Sequence, residues 1–219
     1  MFTHRLFLGK WKTDVDAGDG VEYKIGKILR HEGFRLNTLR NDIALVHLAK
    51  PIEFTDEIKP VCLADPNNDL TDGPSRLDGL ASCFVLGWGH IEIDLGDGQM
   101  KQVTLPNELQ QSLMKVIPAQ NCTSDESIQE MQLGLRPDEN VLCAKRAIFD
   151  KELWEHDLEE SAQGAACMGD SGGPLVCLDY GDEGYKVQGI ISQGKGCGRR
   201  GFYTKVGSYM EWIFENGGV

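Results

Sequence analysis

The chain has 219 residues, 34 acidic against 22 basic side chains and a formal net charge of −12. A surplus of negative charge excludes a polyanion such as nucleic acid as partner and favours cationic surfaces or substrates. With 41% hydrophobic and 26% charged residues the chain is globular, and no apolar run reaches the length of a membrane span.

In chain order, short alternating strands dominate. Val21, Tyr23 and Ile25 alternate with polar or small residues, and Leu109, Leu113 and Ile117 do so around Gln111 and Lys115. Pro118 to Ser124 reads as a short helix or turn carrying Cys122. Residues 187–192 and 202–206 are further strands bounded by glycine. Dense turn punctuation, 26 glycines and 8 prolines, makes the class all-β, a barrel or sandwich. The C-terminus is the exception. Ser208 and Glu211 predict a capping box, Tyr209, Trp212 and Ile213 share one helical face, and Gly217 stops the helix. One segment is strongly acidic: residues 150–161 hold Asp150, Glu152, Glu155, Asp157, Glu159 and Glu160. It reads as a solvated loop, or as a pocket rim that attracts basic substrates or inhibitors.

Seven cysteines without metal-type C-x-x-C pairs indicate an oxidising compartment. The chain has no signal-peptide core, so a secreted protein would carry its signal upstream of Met1.

The chemistry is concentrated in Cys167-Met-Gly-Asp-Ser-Gly-Gly-Pro-Leu-Val-Cys177. Glycines around Ser171 lift its Oγ clear of the backbone and leave room for a substrate carbonyl. The N–H groups of Gly169 and Ser171 can converge on that oxygen as it becomes negative, forming an oxyanion hole. The string, with a cysteine at each end, resembles the active-site loop of the trypsin/chymotrypsin-like serine endopeptidases. The resemblance extends through Asn41-Asp-Ile-Ala-Leu45, Ile58-Lys-Pro-Val-Cys-Leu63, Gly87-Trp-Gly89, Ser192-Gln-Gly194 and Gly201-Phe-Tyr-Thr-Lys-Val206.

That resemblance implies one peptidase domain over residues 1–219. Its fold would be two six-stranded antiparallel β-barrels, the N-terminal one incomplete. A partial N-terminal barrel with linker would span 1–70, the C-terminal barrel 71–205 and the helix 206–217. It makes Asp42 the carboxylate that orients a histidine and stabilises the imidazolium, with Ser171 as nucleophile. Ser192, Gln193 and Gly194 would pair with an extended substrate by β-addition, although the family usually has tryptophan at Gln193. The pocket would have Ala165 and Ala166 at its floor, Gly194 and Gly201 as walls and Met168 at its mouth. Such a neutral slot cannot compensate a buried lysine or arginine head, which implies bulky apolar or aromatic P1 residues. The implied disulfides are Cys83–Cys177, Cys122–Cys143 and Cys167–Cys197. Cys62 is left over, either bonded to an upstream chain or a free buried thiol. No cofactor is implied. Expected partners are protein or peptide substrates and protein protease inhibitors.

The chain departs from the family in two places. The histidine segment that supplies the general base is absent, and so is the new N-terminus whose amine reaches Asp170 in active relatives. Aligning Arg5 to Gly9 with the family strand places Met1 just downstream of that histidine. None of His4, His31, His47, His90 and His156 has the spacing of a substitute. Two readings follow: an endopeptidase represented by a truncated chain, or a catalytically inactive homologue serving as a binding or regulatory module. A structural protein using its acidic segment is a third. A barrel short of strands would also expose apolar interior and open edges. In Asp14-Val-Asp-Ala-Gly-Asp-Gly20, where some relatives hold calcium, the two usual glutamate positions are Lys10 and Ala17. No metal is expected there.

Overall fold

The computed structural model describes residues 4–14, 18–66, 82–93, 102–117, 139–147, 166–178, 184–194 and 200–217. The acidic segment, Ala165, Cys122 and Cys197 lie outside these, as does the short helix expected at 118–124. The strands are β1 (Leu6–Leu8), β2 (Val21–Tyr23), β3 (Ile25–Arg30), β4 (Ala44–Leu48), β5 (Cys62–Leu63), β6 (Ser82–Gly87) and β7 (Ile91–Ile93). They continue with β8 (Gln102–Thr104), β9 (Gln110–Ile117), β10 (Val141–Arg146), β11 (Pro174–Leu178), β12 (Lys186–Gly194) and β13 (Arg200–Lys205).

Six of these close into an antiparallel barrel in the order β11-β6-β9-β10-β13-β12, with β11 pairing back onto β12. Four of the six wall strands send residues two apart into the same core: Cys83 and Val85, Met114 and Val116, Leu142 and Ala144, Leu175 and Cys177, while β12 adds Ile191 and β13 adds Tyr203. This is the period of a pleated strand buried on one face. The face of β9 differs from the sequence expectation. Met114 and Val116, not Leu113, point into the barrel, because Met114 stands opposite Cys83 while Leu113 stands opposite Phe84 on the outer side. Ile117 is buried in a separate cluster with Cys143 and Phe202.

Residues 4–48 form two ribbons, β1–β2 and β3–β4, rather than a second closed barrel among the described residues. Ile28 and Val46 sit directly across β3 and β4 and are 52% and 46% exposed, an apolar pair that no layer of the described residues covers. The ribbons are tied to the barrel through a bridge between Lys12 and Glu108 and through Thr13 N–H to the Asn107 carbonyl at 2.8 Å.

The C-terminal segment begins as a 3-10 turn, Val206–Tyr209, and continues as helix α1, Met210–Gly217. Tyr209, Trp212 and Ile213 are buried together with Ile43 and Val206, as their shared face predicts. The capping box does not form. The early 3-10 turn puts Ser208 inside the turn instead of before it, and its hydroxyl donates to the Glu139 carbonyl at 3.2 Å. Burying each large apolar side chain in this cluster contributes about 1.5–3 kcal/mol. The cluster fixes the segment around Ile43 against α1, and with it the neighbouring Asp42.

Candidate functional site

Asp42 is held from several directions. Asn41 before it adopts φ 54°, and its side chain accepts from the Tyr209 hydroxyl at 2.9 Å while donating to the Gly33 carbonyl at 2.9 Å. The Asp42 carbonyl accepts from Thr204 Oγ1 at 2.8 Å, and its carboxylate Oδ2 accepts from Ser192 Oγ at 2.7 Å. A charge-assisted bond of this kind fixes the carboxylate's orientation. The strands β12 and β13 therefore carry the groups that aim a residue from the N-terminal part of the chain.

The serine loop is the turn entering β11. Gly169 and Gly172 have φ values of +101° and +85°, a left-handed backbone that glycine tolerates at no steric cost. The Gly172 N–H donates to the Ile191 carbonyl at 2.8 Å, and the Ile191 N–H returns to Gly173 at 2.9 Å. Ser171 stands exposed between them. Asp170 points the other way. Its Oδ1 accepts from Gly89 N–H at 2.7 Å and its Oδ2 from Cys167 N–H at 2.9 Å. A Cβ on Gly89 would stand 2.4 Å from that carboxyl carbon, so this close approach requires glycine.

Of the residues expected to line a substrate pocket, Gly194 of β12 stands opposite Gly201 of β13, and Ala166 packs against the barrel core. Met168 is 70% exposed. Gln193 keeps its Oε1 buried without a hydrogen-bond partner, as does the Tyr203 hydroxyl. Burial, and secondarily the charge of Asp170, hold that hydroxyl protonated far into alkaline pH.

Cys83 and Cys177 form a disulfide joining β6 to β11. Cys143 and Cys167 are also disulfide-bonded; the partners expected for them, Cys122 and Cys197, lie outside the described residues. Cys62 is free and exposed, which corrects the reading of a buried thiol: β5 lies at the end of the sheet, beside β12 alone.

None of the described histidines hydrogen-bonds to Ser171 or Asp42. The His31 ring packs 4.9 Å from Trp212 and 5.5 Å from Tyr209, and its Nδ1 accepts from Gly33 N–H at 3.0 Å. His47 lies in β4 with its Nε2 buried and without a partner, and His4 is exposed before β1. His90 contacts the serine loop through the Met168 carbonyl, at 2.8 Å from Nδ1. Sequence reading missed this contact, and likewise Asn41, Thr204 and Tyr209 as supports of Asp42. Only the fold brings these residues together.

Asp14 and Asp19 converge on one side chain. The Lys10 ammonium donates to the Asp14 carbonyl at 2.8 Å and to Asp19 Oδ1 at 2.9 Å. Asp19 Oδ2 accepts from the N–H groups of Trp11 and Lys12. The Lys12 amide first, then Lys10 and the Trp11 amide, hold the Asp19 carboxyl far below the usual carboxylate range. A carboxyl depressed on folding stabilises the loop fully above its unfolded pKa of about 4 and loses that contribution only as pH falls through the depressed value. The amide resonances of Trp11 and Lys12 are thus expected to hold their positions through about pH 4 and to move only in stronger acid. A midpoint at the ordinary carboxylate value would refute this, and Asp19→Asn is expected to abolish the transition.

Comparison with known proteins agrees with this geometry. The family model described as Trypsin matches residues 4–213. The chain is 31% identical over 201 residues to a vitellin-degrading protease of Bombyx mori, covering 90% of this chain and 61% of that protein. It is 30% identical over 221 residues to the tissue-type plasminogen activator of Mus musculus, covering 97% of this chain and 34% of that protein. The chain therefore spans less than two thirds of the length of either relative.

Proposed function

The chain belongs to the trypsin family, and from that premise we propose that it is a serine endopeptidase domain of the chymotrypsin-like pocket type. Ser171 is its nucleophile, Asp42 its orienting carboxylate, and the amides of Gly169 and Ser171 its oxyanion donors. The observation that carries this reading is the 2.7 Å bond from Ser192 Oγ to Asp42, which binds the carboxylate to the strand that would pair with substrate. In the reaction, Ser171 Oγ attacks the scissile carbonyl and forms an acyl-enzyme that water then hydrolyses. The two amides meet the developing oxyanion, and a histidine between Ser171 and Asp42 carries the proton. The sequence encodes no histidine in that position. Among the described residues no histidine hydrogen-bonds to Ser171 or Asp42, which favours, as second reading, a relative that keeps the scaffold for binding or regulation.

Pocket chemistry supports an apolar P1. Ala165, Ala166, Gly194 and Gly201 contribute no charge, and an unpaired buried cation is very costly. We propose protein or peptide substrates and protein protease inhibitors as partners, an upstream chain bonded through the exposed Cys62, and an extracellular location. Equilibrium binding by calorimetry tests the pocket. N-(2-phenylethyl)acetamide is expected to bind at least about tenfold more tightly than benzamidine. Tighter binding of benzamidine would replace the neutral pocket with an acidic one.

A further inference from the structure

His90 has no part in the chemistry just proposed, yet it reaches the loop that carries it. Following Gly87-Trp88-Gly89, where β6 ends, it directs two groups at one acceptor. Its main-chain N–H lies 2.8 Å from the Met168 carbonyl oxygen, and its ring Nδ1 lies 2.8 Å from the same oxygen. A carbonyl oxygen only accepts, so Nδ1 carries the proton at this contact, and the neutral ring is the Nδ1–H tautomer. The adjoining Gly89 donates to Asp170 Oδ1 at 2.7 Å, and its Cα is 3.1 Å from where a Cβ on Gly169 would stand. The 87–90 segment thus grips the 168–170 turn at both ends.

The peptide between Met168 and Gly169 is trans, so its C=O and N–H point in opposite directions. Holding the oxygen against His90 turns the Gly169 N–H to the other side of the turn. Gly169, at φ +101° and without a Cβ, offers little resistance of its own to a flip of that peptide. A flip would present an acceptor where an anion needs a donor. We infer that His90 is a positioning residue whose ring N–H, donated to the Met168 carbonyl, locks the 168–169 peptide with the Gly169 N–H available to an oxyanion. The inference rests on the reading of Gly169 as an oxyanion donor.

Two ligands separate the inference from that reading without any need for turnover. N-acetyl-L-phenylalanine presents a carboxylate to the oxyanion donors; N-(2-phenylethyl)acetamide fills the pocket and lacks that group. His90→Ala removes only the ring donor, since the main-chain N–H remains, and His90→Asn returns an amide N–H close to the place of Nδ1. By calorimetry, His90→Ala is expected to weaken the carboxylate ligand about tenfold, and His90→Asn to recover most of that loss. The acetamide should bind all three proteins equally. In the unsubstituted protein, ¹⁵N spectra of the neutral His90 ring are expected to place the proton on Nδ1, a result that stands even if His90→Ala folds poorly. Unchanged carboxylate affinity in His90→Ala, or a proton on Nε2, would overturn the inference and leave the pocket reading intact. Failure of both ligands to bind the unsubstituted protein would overturn the site reading and the inference with it.

Discussion

The purified chain is expected to cleave aromatic-P1 peptides about 10⁴–10⁶-fold more slowly than a family member with a complete triad. The reason is the missing proton acceptor. Ser171 at neutral pH is a weak nucleophile until a base takes its proton during attack, and Asp42 is committed to Ser192 through the bond at 2.7 Å. Buffer bases cannot substitute well, because a group held in place acts with an effective molarity of up to about 10⁵–10⁸ M. A further result follows from the unity of the triad. When the base is absent, deleting the nucleophile costs little more, so Ser171→Ala is expected to leave the residual rate within about twofold. Peptide turnover approaching that of a complete relative, together with its loss in Ser171→Ala, would show that one of the five histidines of this chain serves as the base.

What could be read from the sequence followed the range of the interactions. The turn at Ser171 was legible because it is local: glycines within a few residues of the serine set it, and the flanking cysteines mark it. Asp42 could be proposed through resemblance alone, since Ser192 and Thr204 are 150 and 162 residues away and meet it only once β12 and β13 are in place. The face of β9 was misread for a related reason. Leu109, Leu113 and Ile117 form a regular apolar series, and the choice of inward face is made by the register with β6, which sets Met114 against Cys83. Helix α1 was predicted correctly in its buried face and incorrectly in its cap. Apolar periodicity survives a change of helix type, whereas a capping hydroxyl must stand just before the first turn, and here a 3-10 turn intervenes. The ammonium of Lys10 was visible as a departure from a calcium loop, but its bonds to Asp14 and Asp19 depend on the fold bringing both to one side chain.

Replacing both Cys83 and Cys177 by alanine is expected to lower the unfolding free energy by roughly 4–5 kcal/mol, because the bridge closes a loop of 94 residues. The two strands it joins are already neighbours, with Cys177 opposite Cys83 in the β11–β6 register, so the native barrel keeps its hydrogen bonds when the sulfurs go. Most of the loss therefore comes from freeing the unfolded chain. Both positions are almost fully buried, at 1% and 0% exposure, and truncation to alanine adds a smaller packing penalty. For a chain of this size the combined change corresponds to a fall in midpoint temperature of roughly 10–20 °C. Domains are stable by only about 5–15 kcal/mol, so the double variant should lie near the edge of folding. Urea denaturation of the two proteins, without reductant, measures the difference directly. A double substitution is needed because a single one leaves a thiol free to exchange with the disulfides of Cys143 and Cys167. A difference below about 1 kcal/mol would mean that the unfolded chain already keeps β6 near β11, and that the barrel's closure is encoded in local pairing more than in the bridge.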